Sequence, residues 1–333
     1  MEPILPVKVE IASLIKKIVP VLSPHSLKGD NGTVGTIGGS LEYTGAPYYS
    51  AITSLKSGCD LSHVFCHTEA TIPIKCYSPE LIVHPGFSSI LNNSLLDKTI
   101  RWFKSMNSIA MGPGLGRDEE IKDVFVKFSN SIFKLNNIPL VYDADALWFL
   151  GKTFSQLENI NNLIITPNKT EFDRLYAQLC GKDENQQKET LFSQLPDDDI
   201  LLYNTIPNTL FIKETKLCKS LGNTIVVKKG PNDIITDGKK VYIIKNAGSM
   251  KRTGGIGDIL TGLINCYCGM MKRKHIINNT FFSQDDLMDC CVLGCYMCRI
   301  ASLSAFEKHK YSLTAPDIIN ELNVITNMYD KLL

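Results

Sequence analysis

The sequence lacks a strong charge of either sign, and this excludes one class of partner. Its 35 lysines and arginines are balanced by 34 aspartates and glutamates, which leaves a net charge of +1. Proteins that bind nucleic acid through phosphate contacts usually carry a basic excess. We therefore expect no nucleic-acid partner.

Long apolar runs are also scarce. The longest, residues 256–271, is interrupted by Asp258, Thr261 and Asn265 and is shorter than the about 20 apolar residues that a membrane helix needs. The first nine residues lack the apolar core of a secretory leader and contain neither Arg nor Ser. We expect no membrane partner and a cytoplasmic protein whose eleven cysteines stay reduced. The sequence does not decide between a monomer and a homo-oligomer.

Metal-ligand patterns are missing as well. The six histidines show no metal-ligand spacing, and the cysteines of residues 266–268 and 290–298 fall in apolar, helical stretches. Zinc sites usually place such pairs in knuckle loops. Buried small side chains explain this clustering better, so we predict no metal held by protein ligands.

What the sequence does contain is an alternation of short apolar strands and amphipathic helices. This pattern predicts an α/β fold, a mostly parallel sheet with helices on both faces. A hairpin is predicted around Asp237-Gly238. The predicted strands are 33–37, 61–66, 81–84, 108–111, 138–142, 163–166, 224–227, 234–236 and 241–244, and the predicted helices are 10–19, 45–57, one ending at 100–104, 118–135, 170–179, 258–271, 286–307 and 316–323.

Two domain boundaries follow from composition. Residues 1–20 are predicted to hold an N-terminal helix, and residues 21–330 to form a single catalytic domain, since large α/β enzymes reach this size as one unit. Residues 182–220 are polar and interrupt the alternation. We predict that they form an insertion or a surface excursion.

The most informative stretch is Lys251–Asp258, Lys-Arg-Thr-Gly-Gly-Ile-Gly-Asp, which leads into an apolar helix. Glycines that open a helix bring unpaired N–H groups and the positive end of the helix dipole close to a ligand phosphate. A carboxylate at this position is explained either as a helix cap or as the base that takes a proton from a phosphoryl acceptor. The stretch is not a Walker A loop, because no Lys-Ser or Lys-Thr follows the glycines.

Three other turns at strand ends have two explanations each. Gly112–Gly116 resembles a dinucleotide loop only weakly and is better explained as a loop that approaches some ligand closely. Asn168–Arg174 is either a capping box at a helix start or a binding site for a polar ligand. Lys228–Asp233 is either a phosphate site or a solvated turn. The carboxyl ends of strands form the ligand crevice of open α/β sheets. These turns, together with those at 38–40, 143–145 and 254–258, therefore predict one elongated site.

Six motifs in a fixed order resemble the ribokinase-like NAD(P)H-hydrate dehydratases, and the segments at 60–65 and 75–81 resemble their eukaryotic, ATP-dependent branch. The resemblance covers roughly residues 20–320 and implies a ribokinase-like three-layer sandwich. The motifs are Gly38-Gly39-Ser40 with Tyr43–Pro47, Gly112–Arg117, Asp143-Ala144-Asp145-Ala146-Leu147, Thr166-Pro167-Asn168 with Glu171-Phe172, Lys229-Gly230 with Asp233, and Gly254–Asp258.

The resemblance implies an activity: the ATP-dependent conversion of the S-epimers of NADHX and NADPHX, nicotinamide cofactors hydrated at a ring double bond, to NADH and NADPH. It implies that Asp258 takes the proton of the ring hydroxyl, while Gly255 and Gly257 stabilise the transferring phosphoryl group. Mg²⁺ is expected to accompany ATP and to bridge its phosphates.

The resemblance also implies two sets of binding residues. For ATP they are Lys229, Gly230, Pro231, Asn232, Asp233, Gly248, Ser249, Met250, Lys251, Arg252, Thr253, Gly254, Gly255, Ile256 and Gly257. For the hydrated cofactor they are Gly114, Gly116, Asn168, Lys169, Thr170, Glu171, Phe172, Asp173, Arg174 and Asp258, with Arg174 a partner for its phosphates.

Other functions fit the same residues. A kinase of this fold that phosphorylates a vitamin alcohol would use Asp258 identically but would stop at the phosphorylated product. A non-catalytic nucleotide-binding protein would not need Asp258. The choice between ATP and ADP as phosphoryl donor is open on physical grounds.

Overall fold

The structure is a computed structural model that describes residues 6–88, 93–135, 137–181, 195–206, 210–222 and 224–333. Within these residues a single sheet of eleven strands runs through the molecule. The strands are β1 Val7–Lys8, β2 Thr33–Ile37, β3 Leu61–His67, β4 Ile82–Phe87, β5 Ser108–Met111, β6 Leu140–Tyr142, β7 Leu163–Ile165, β8 Ile200–Tyr203, β9 Ile225–Lys228, β10 Asp233–Thr236 and β11 Val241–Ile244.

Helices cover both faces of this sheet. The α-helices are α1 Ile11–Ile18, α2 Gly45–Lys56, α3 Thr71–Tyr77, α4 Asn93–Phe103, α5 Glu119–Phe133, α6 Asp145–Thr153, α7 Lys169–Cys180, α8 Ile212–Ser220, α9 Ile256–Ile277, α10 Gln284–His309, α11 Ala315–Asn320 and α12 Asn323–Leu332.

The sheet has a parallel part and an antiparallel part. Its order is β1-β8-β11-β10-β9-β7-β6-β5-β2-β3-β4. From β9 to β4 all neighbours are parallel, and from β9 to β1 all are antiparallel. The predicted mostly parallel sheet and the hairpin of β10 and β11 are both confirmed.

Alternating side chains of the parallel strands build two separate cores. Ile109 and Met111 of β5 face one core while Ala110 faces the other, and β6 and β7 alternate in the same way. Helices α4 to α8 pack on the first face, and α1, α2 and α9 to α12 on the second. The three-layer α/β sandwich follows from strands that are apolar on both faces.

The structure corrects the prediction that residues 182–220 form an insertion or a surface excursion. Residues 182–194 and 207–209 lie outside the described residues, but Ile200–Tyr203 forms strand β8 between β1 and β11. Helix α8 buries Leu217 and Cys218 in the core. The apolar run of β8 directly follows Asp197-Asp198-Asp199. Because of this polar context, the sequence did not predict a strand of the central sheet there.

The N-terminal segment belongs to the same body as the rest. As predicted, a helix occupies most of residues 10–19, and α1 buries Leu14, Ile15 and Ile18 in the second core. Strand β1 adds to the edge of the sheet through β8.

One described stretch, Gln284–Ser312, is long and apolar enough to cross a membrane by length and composition alone. It consists of α10 and the turn after it. Its most apolar window is 67% buried within the fold, which is typical of a core helix.

Candidate active site

Three neighbouring strands end in polar side chains that meet at one point. Asp143 follows β6, Thr166 follows β7 and Lys229 follows β9, and these strands are adjacent and parallel. One carboxylate oxygen of Asp143, Oδ1, accepts hydrogen bonds from Thr166 Oγ1 at 2.9 Å and from Lys229 Nζ at 2.8 Å. Oδ2 accepts one from Thr261 Oγ1 of α9 at 2.9 Å. Asp143 is only 2% exposed, so this network fixes α9 to the carboxyl edge of the sheet.

The backbone after β6 is strained in a way that fits a binding site. Ala144 has φ 47° and ψ −112°, an unfavourable conformation for a residue with a side chain. A side chain at Gly112 would lie 1.8 Å from the carbonyl oxygen of Asp143. The bare backbone of Gly112 therefore lets the β6–α6 turn pass closely while it directs Asp143 and Asp145 to the sheet edge.

Helix α9 begins at this edge with an uncapped N-terminus. No described side chain caps it, and Gly255 occupies the N-cap position with φ 94°. A Cβ there would lie 2.6 Å from Ala315 Cβ and 3.1 Å from the ring of Tyr49, so both the conformation and the space require glycine. Around Gly254, by contrast, no described atom lies within 4 Å of the Cβ position. The first N–H groups of α9 thus remain available to an anionic ligand.

Asp258 stands in the first turn of α9 as a free carboxylate. Within the described residues its oxygens accept no hydrogen bond, and it contributes to the wall of the adjacent crevice. Burial raises the pKa of Asp258 well above its usual value, repulsion from Asp143 raises it further, and Lys229 partly offsets this. A raised pKa makes Asp258 a stronger base than an ordinary aspartate.

Lys229 carries the positive charge of this cluster. Its pKa is raised, because the attraction of Asp143 and Glu171 outweighs the cost of burying the ammonium group. A side chain at Gly257 would lie 3.5 Å from Lys229 Nζ, which places the ammonium beside the first turn of α9. Lys229 therefore holds Asp143 and can also face a phosphate there.

The start of α7 shows the capping box that was one of the two explanations for its sequence. Asn168 Oδ1 accepts from the backbone N–H of Glu171 at 2.9 Å, and Glu171 Oε2 accepts from that of Asn168 at 2.9 Å. Burial raises the pKa of Glu171 as well. The Phe172 side chain is fully buried in the core, so a contact of this residue with the cofactor would have to come from its backbone. Lys169, Thr170 and Asp173 are exposed.

The predicted segment 229–233 is joined to Asn246, two residues before the other predicted segment, by a residue that was not predicted, Arg299 of α10. Its guanidinium donates Nε to Asp233 Oδ2 at 2.7 Å, Nη2 to the carbonyl of Gly230 at 2.9 Å and Nη1 to that of Asn246 at 3.1 Å. Asp233 also accepts from the backbone N–H of Gly230 at 3.0 Å. Asp233 thus shapes the turn after β9 rather than presenting its carboxylate to a phosphate.

The predicted segment 248–257 divides into anchored and open parts. Ser249 is buried and its N–H donates to Ser302 Oγ at 3.2 Å. Lys251 Nζ donates to the carbonyls of Tyr311 and Leu313 at 2.6 and 2.7 Å, which engages the ammonium. Met250 and Arg252 are exposed.

A crevice of about 760 Å³ opens in front of Asp258. Two predicted residues, Gly114 and Gly116, line it together with Asp258. Asp145 also lines it and accepts from Gly116 N at 3.0 Å and Arg117 Nε at 2.7 Å. The residues of 168–174, 229–233 and 248–257 surround the adjoining edge rather than the crevice wall itself.

Comparison with known proteins gives this arrangement its family. The family model described as NAD(P)H-hydrate dehydratase matches residues 34–202 and 208–323. The chain belongs to the NAD(P)H-hydrate dehydratase family. It is 35% identical over 316 residues to the ATP-dependent (S)-NAD(P)H-hydrate dehydratase of Pongo abelii, with 93% of this chain and 86% of the relative covered.

Solved structures show the fold. A ribokinase-like superfamily protein from Enterococcus faecalis is similar with a TM-score of 0.70 and 18% identity, covering 96% of this chain and 94% of that one. The ADP/ATP-dependent NAD(P)H-hydrate dehydratase of Bacillus subtilis, co-crystallised with ATP/Mg²⁺, gives a TM-score of 0.65 and 18% identity, covering 96% and 97%. The predicted ribokinase-like fold is confirmed.

Sequence reasoning on this member of the dehydratase family placed the turn at 143–145 at the site but gave no role to Asp143 or Asp145, and it did not assign Thr261 or Arg299. The two aspartates carried a usable signal, an acidic pair directly after a buried strand. Thr261 and Arg299 carried none, since each lies inside an apolar helix. In the described part of the chain, no group of three or more His, Cys, Asp or Glu is placed to hold a metal ion.

Proposed function

We propose that this protein dehydrates the S-epimers of NADHX and NADPHX to NADH and NADPH with consumption of ATP. The observation that carries the proposal is Asp258, a carboxylate of raised pKa without a described hydrogen-bond partner, at the uncapped start of α9 and beside a crevice. The dehydratase family model and the 35%-identical relative support the same reaction.

The reaction needs a better leaving group than hydroxide. In the first step Asp258 takes the proton of the ring hydroxyl, whose oxygen forms a bond to the γ-phosphorus of ATP as the bond to ADP breaks. The lone pair of the ring nitrogen then expels phosphate from the neighbouring carbon. Loss of a proton from the next ring carbon restores the double bond, so ATP and NADHX become ADP, phosphate and NADH.

The first turn of α9 supplies the stabilisation that this transfer needs. The N–H groups of Gly254, Gly255 and Gly257 would face the phosphoryl oxygens, where charge accumulates. Lys229, held by Asp143 at 2.8 Å, would add a positive charge beside them. The open space at Gly254 is where a phosphate would approach the main chain.

ATP would lie on the loops at 229–233 and 248–257, and Arg299 ties the first of these loops to Asn246, just before the second. Mg²⁺ supplies charge neutralisation between the phosphates in such reactions.

The direct test is incubation of the purified protein with (S)-NADHX and either ATP or ADP. We expect the absorbance of NADH to be recovered together with release of free phosphate. A stable phosphorylated product without this absorbance would contradict the proposal and indicate a kinase. The two nucleotide arms identify the phosphoryl donor.

Asp258→Asn provides the largest expected loss of activity. We expect kcat to fall by about 100- to 10,000-fold, since the amide cannot accept the proton, while ATP binding measured by calorimetry is kept. Asp123→Asn, the same change at an exposed position of α5, is the matched control. Unchanged turnover in Asp258→Asn would exclude Asp258 as the base.

We also propose that the protein is cytoplasmic. All eleven of its cysteines are free thiols, and reduced thiols are typical of that compartment. Fractionation of cells that express the tagged chain, with marker enzymes for each organelle, tests this location.

A further inference from the structure

The end of helix α9 that lies farthest from Asp258 carries exposed apolar side chains. The helix has 22 residues and is about 33 Å long, so its last turn lies at the opposite end of the molecule from the crevice. Ile276 and Ile277 in that turn are about half exposed. The turn that follows presents Phe281, which is 78% exposed. These side chains are remote from the proposed reaction.

The loop between α1 and β2 runs beside this end of α9. Lys274 Nζ donates to the carbonyl oxygens of residues 16 and 17 at 3.2 and 2.9 Å. The neighbouring Arg273 donates Nη2 to Asp30 Oδ1 at 2.9 Å. Both ends of the segment 18–29 are therefore held at the same turn of α9, and the segment lies next to that turn.

The loop adds three apolar side chains to those of α9. Val21, Leu22 and Leu27 are between 63% and 74% exposed, and none of them belongs to a helix or strand. Single exposed apolar residues are normal on a protein surface, but several on two segments that are held together mark an interaction site. We call the following six residues the basal patch: Val21, Leu22, Leu27, Ile276, Ile277 and Phe281.

The same two segments and their flanks carry positive charge. Four of their lysines form no ion pair within the described residues: Lys16, Lys28, Lys272 and Lys274. Burial lowers the pKa of Lys272 and of Lys274, and no described carboxylate offsets this shift. Acidic groups of this region are engaged by other cations, Asp30 by Arg273 at 2.9 Å and Asp286 by Lys17 at 2.8 Å. The surface around the basal patch is therefore basic.

This charge decides between the occupants that an apolar patch could have. In a symmetric pair of two copies, the four lysines of one copy would face those of the other, and like charges across an interface are unfavourable. An anionic lipid surface provides the opposite charge for the lysines. Its headgroup region also accommodates apolar side chains that project from loops and helix ends.

We propose that the basal patch docks on an anionic lipid surface, with its apolar side chains among the headgroups and the four lysines near the lipid phosphates. Such lipids are abundant in the cytoplasmic leaflet, so docking agrees with the proposed location. Asp258 begins the other end of α9, which leaves the crevice open to solvent on a docked molecule. The inference does not depend on the proposed function.

This proposal departs from the expectation of no membrane partner. That expectation rested on the scarcity of long apolar runs, which concerns segments that span a bilayer. The basal patch is peripheral, and its residues come from two segments at opposite ends of the sequence. No single stretch of sequence therefore contains the pattern.

Vesicle sedimentation of the whole chain tests the docking. The probes are vesicles of phosphatidylcholine alone and vesicles that also contain phosphatidylserine. We expect binding only to the second kind, and loss of that binding at high salt, because salt screens the attraction between the lysines and the lipid. Binding of equal strength to both kinds, or to neither, would overturn the proposal.

A double variant at two exposed lysines measures the contribution of charge. Lys16→Gln with Lys28→Gln should weaken binding by about 25-fold, since each lysine near an anionic surface contributes about fivefold. Lys98→Gln with Lys127→Gln removes two exposed charges from α4 and α5, on the other face of the sheet. This matched control should bind as the unchanged chain does. Equal losses in the two double variants would overturn docking through the basal patch.

Leu22→Ser measures the contribution of the apolar side chains. We expect binding to fall by about fivefold or more, as the loss of a buried leucine predicts. Ile72→Ser, at a similarly exposed position of α3, is the matched control and should bind normally. A concentration-dependent dimer in sedimentation velocity that Leu22→Ser abolishes, without binding to vesicles, would overturn the proposal and identify a second copy as the occupant.

Discussion

Helices α7 and α9 begin at the same edge of the sheet, yet their first turns are built in opposite ways. At α7, Asn168 and Glu171 satisfy each other's backbone N–H groups within a capping box. At α9, Gly255 offers no side chain, and no described residue caps the helix. Both first turns hold a carboxylate of raised pKa, but Glu171 accepts a backbone hydrogen bond while Asp258 has none from the described residues.

This difference separates a stabilising helix start from a reactive one. A capped turn lowers the free energy of the folded state because its donors are satisfied within the chain. An uncapped turn leaves its donors to a ligand, and its carboxylate free to accept a proton. A carboxylate in the first turn of a helix at this sheet edge thus stabilises the helix start in α7 and is available for reaction in α9. The following predictions test this contrast, from the largest expected effect to the smallest.

Gly255→Ala should damage both folding and activity. Alanine is strained at φ 94° and its Cβ would lie 2.6 Å from Ala315 Cβ, so we expect the free energy of unfolding to fall by about 1–3 kcal/mol. Urea denaturation measures the loss, and we expect ATP turnover to fall at least tenfold with it.

Gly254→Ala is the matched comparison. No described atom lies within 4 Å of the Cβ position of Gly254, so we expect the free energy of unfolding to change by less than about 1 kcal/mol. Turnover should still fall, because the added methyl group occupies the space proposed for a phosphate. Full activity of Gly254→Ala would show that no ligand approaches the backbone there.

Two neighbours of Asp258 should shift the pH dependence of kcat in opposite directions. Lys229 lowers the pKa of Asp258 and Asp143 raises it. Lys229→Met should therefore move the acidic limb of the pH–kcat profile to higher pH, and Asp143→Asn should move it to lower pH. The pH midpoints of the acidic limbs are compared, so a general loss of activity in a variant does not affect the comparison. Shifts in the same direction would contradict Asp258 as the titrating group.

Asn168→Ala should have the smallest effect on catalysis. Loss of the cap should lower the free energy of unfolding by about 1 kcal/mol, while kcat changes less than about twofold. Ser283→Ala, which removes the cap of the similar box at the start of α10, controls for stability. A tenfold loss of kcat in Asn168→Ala alone would show that Asn168 also contacts the substrate.

The sequence predicted the layers well because the parallel strands are apolar on both faces and are separated by glycine and acidic turns. It missed α8 and β8, whose few apolar residues stand in a polar segment. It also missed α6 and the short β1, α3 and α12. At the site, the glycines before Asp258 were a strong local signal. The Asn168 motif was ambiguous, because a capping box and a ligand-binding turn use the same residues.

Contacts between distant segments were beyond sequence reasoning. Nothing in the local pattern links Asp143 to Thr261, which are 118 residues apart, or Arg299 to Gly230, which are 69 apart. Each pair arises from the order of strands and the path of a helix across the sheet. The cations around Trp148 are of the same kind, since α6, α7 and the loop after β5 supply Lys152, Arg174 and Arg117.

The guanidinium of Arg299 has a mechanical consequence for the proposed nucleotide site. It holds carbonyls of the turn after β9 and of the segment after β11, and its helix is packed in the core. The two loops therefore cannot shift independently of each other. ATP would meet a rigid platform on this side, and any adjustment to the size of the second substrate would fall to the opposite wall, where Asp145 accepts hydrogen bonds from Gly116 and Arg117.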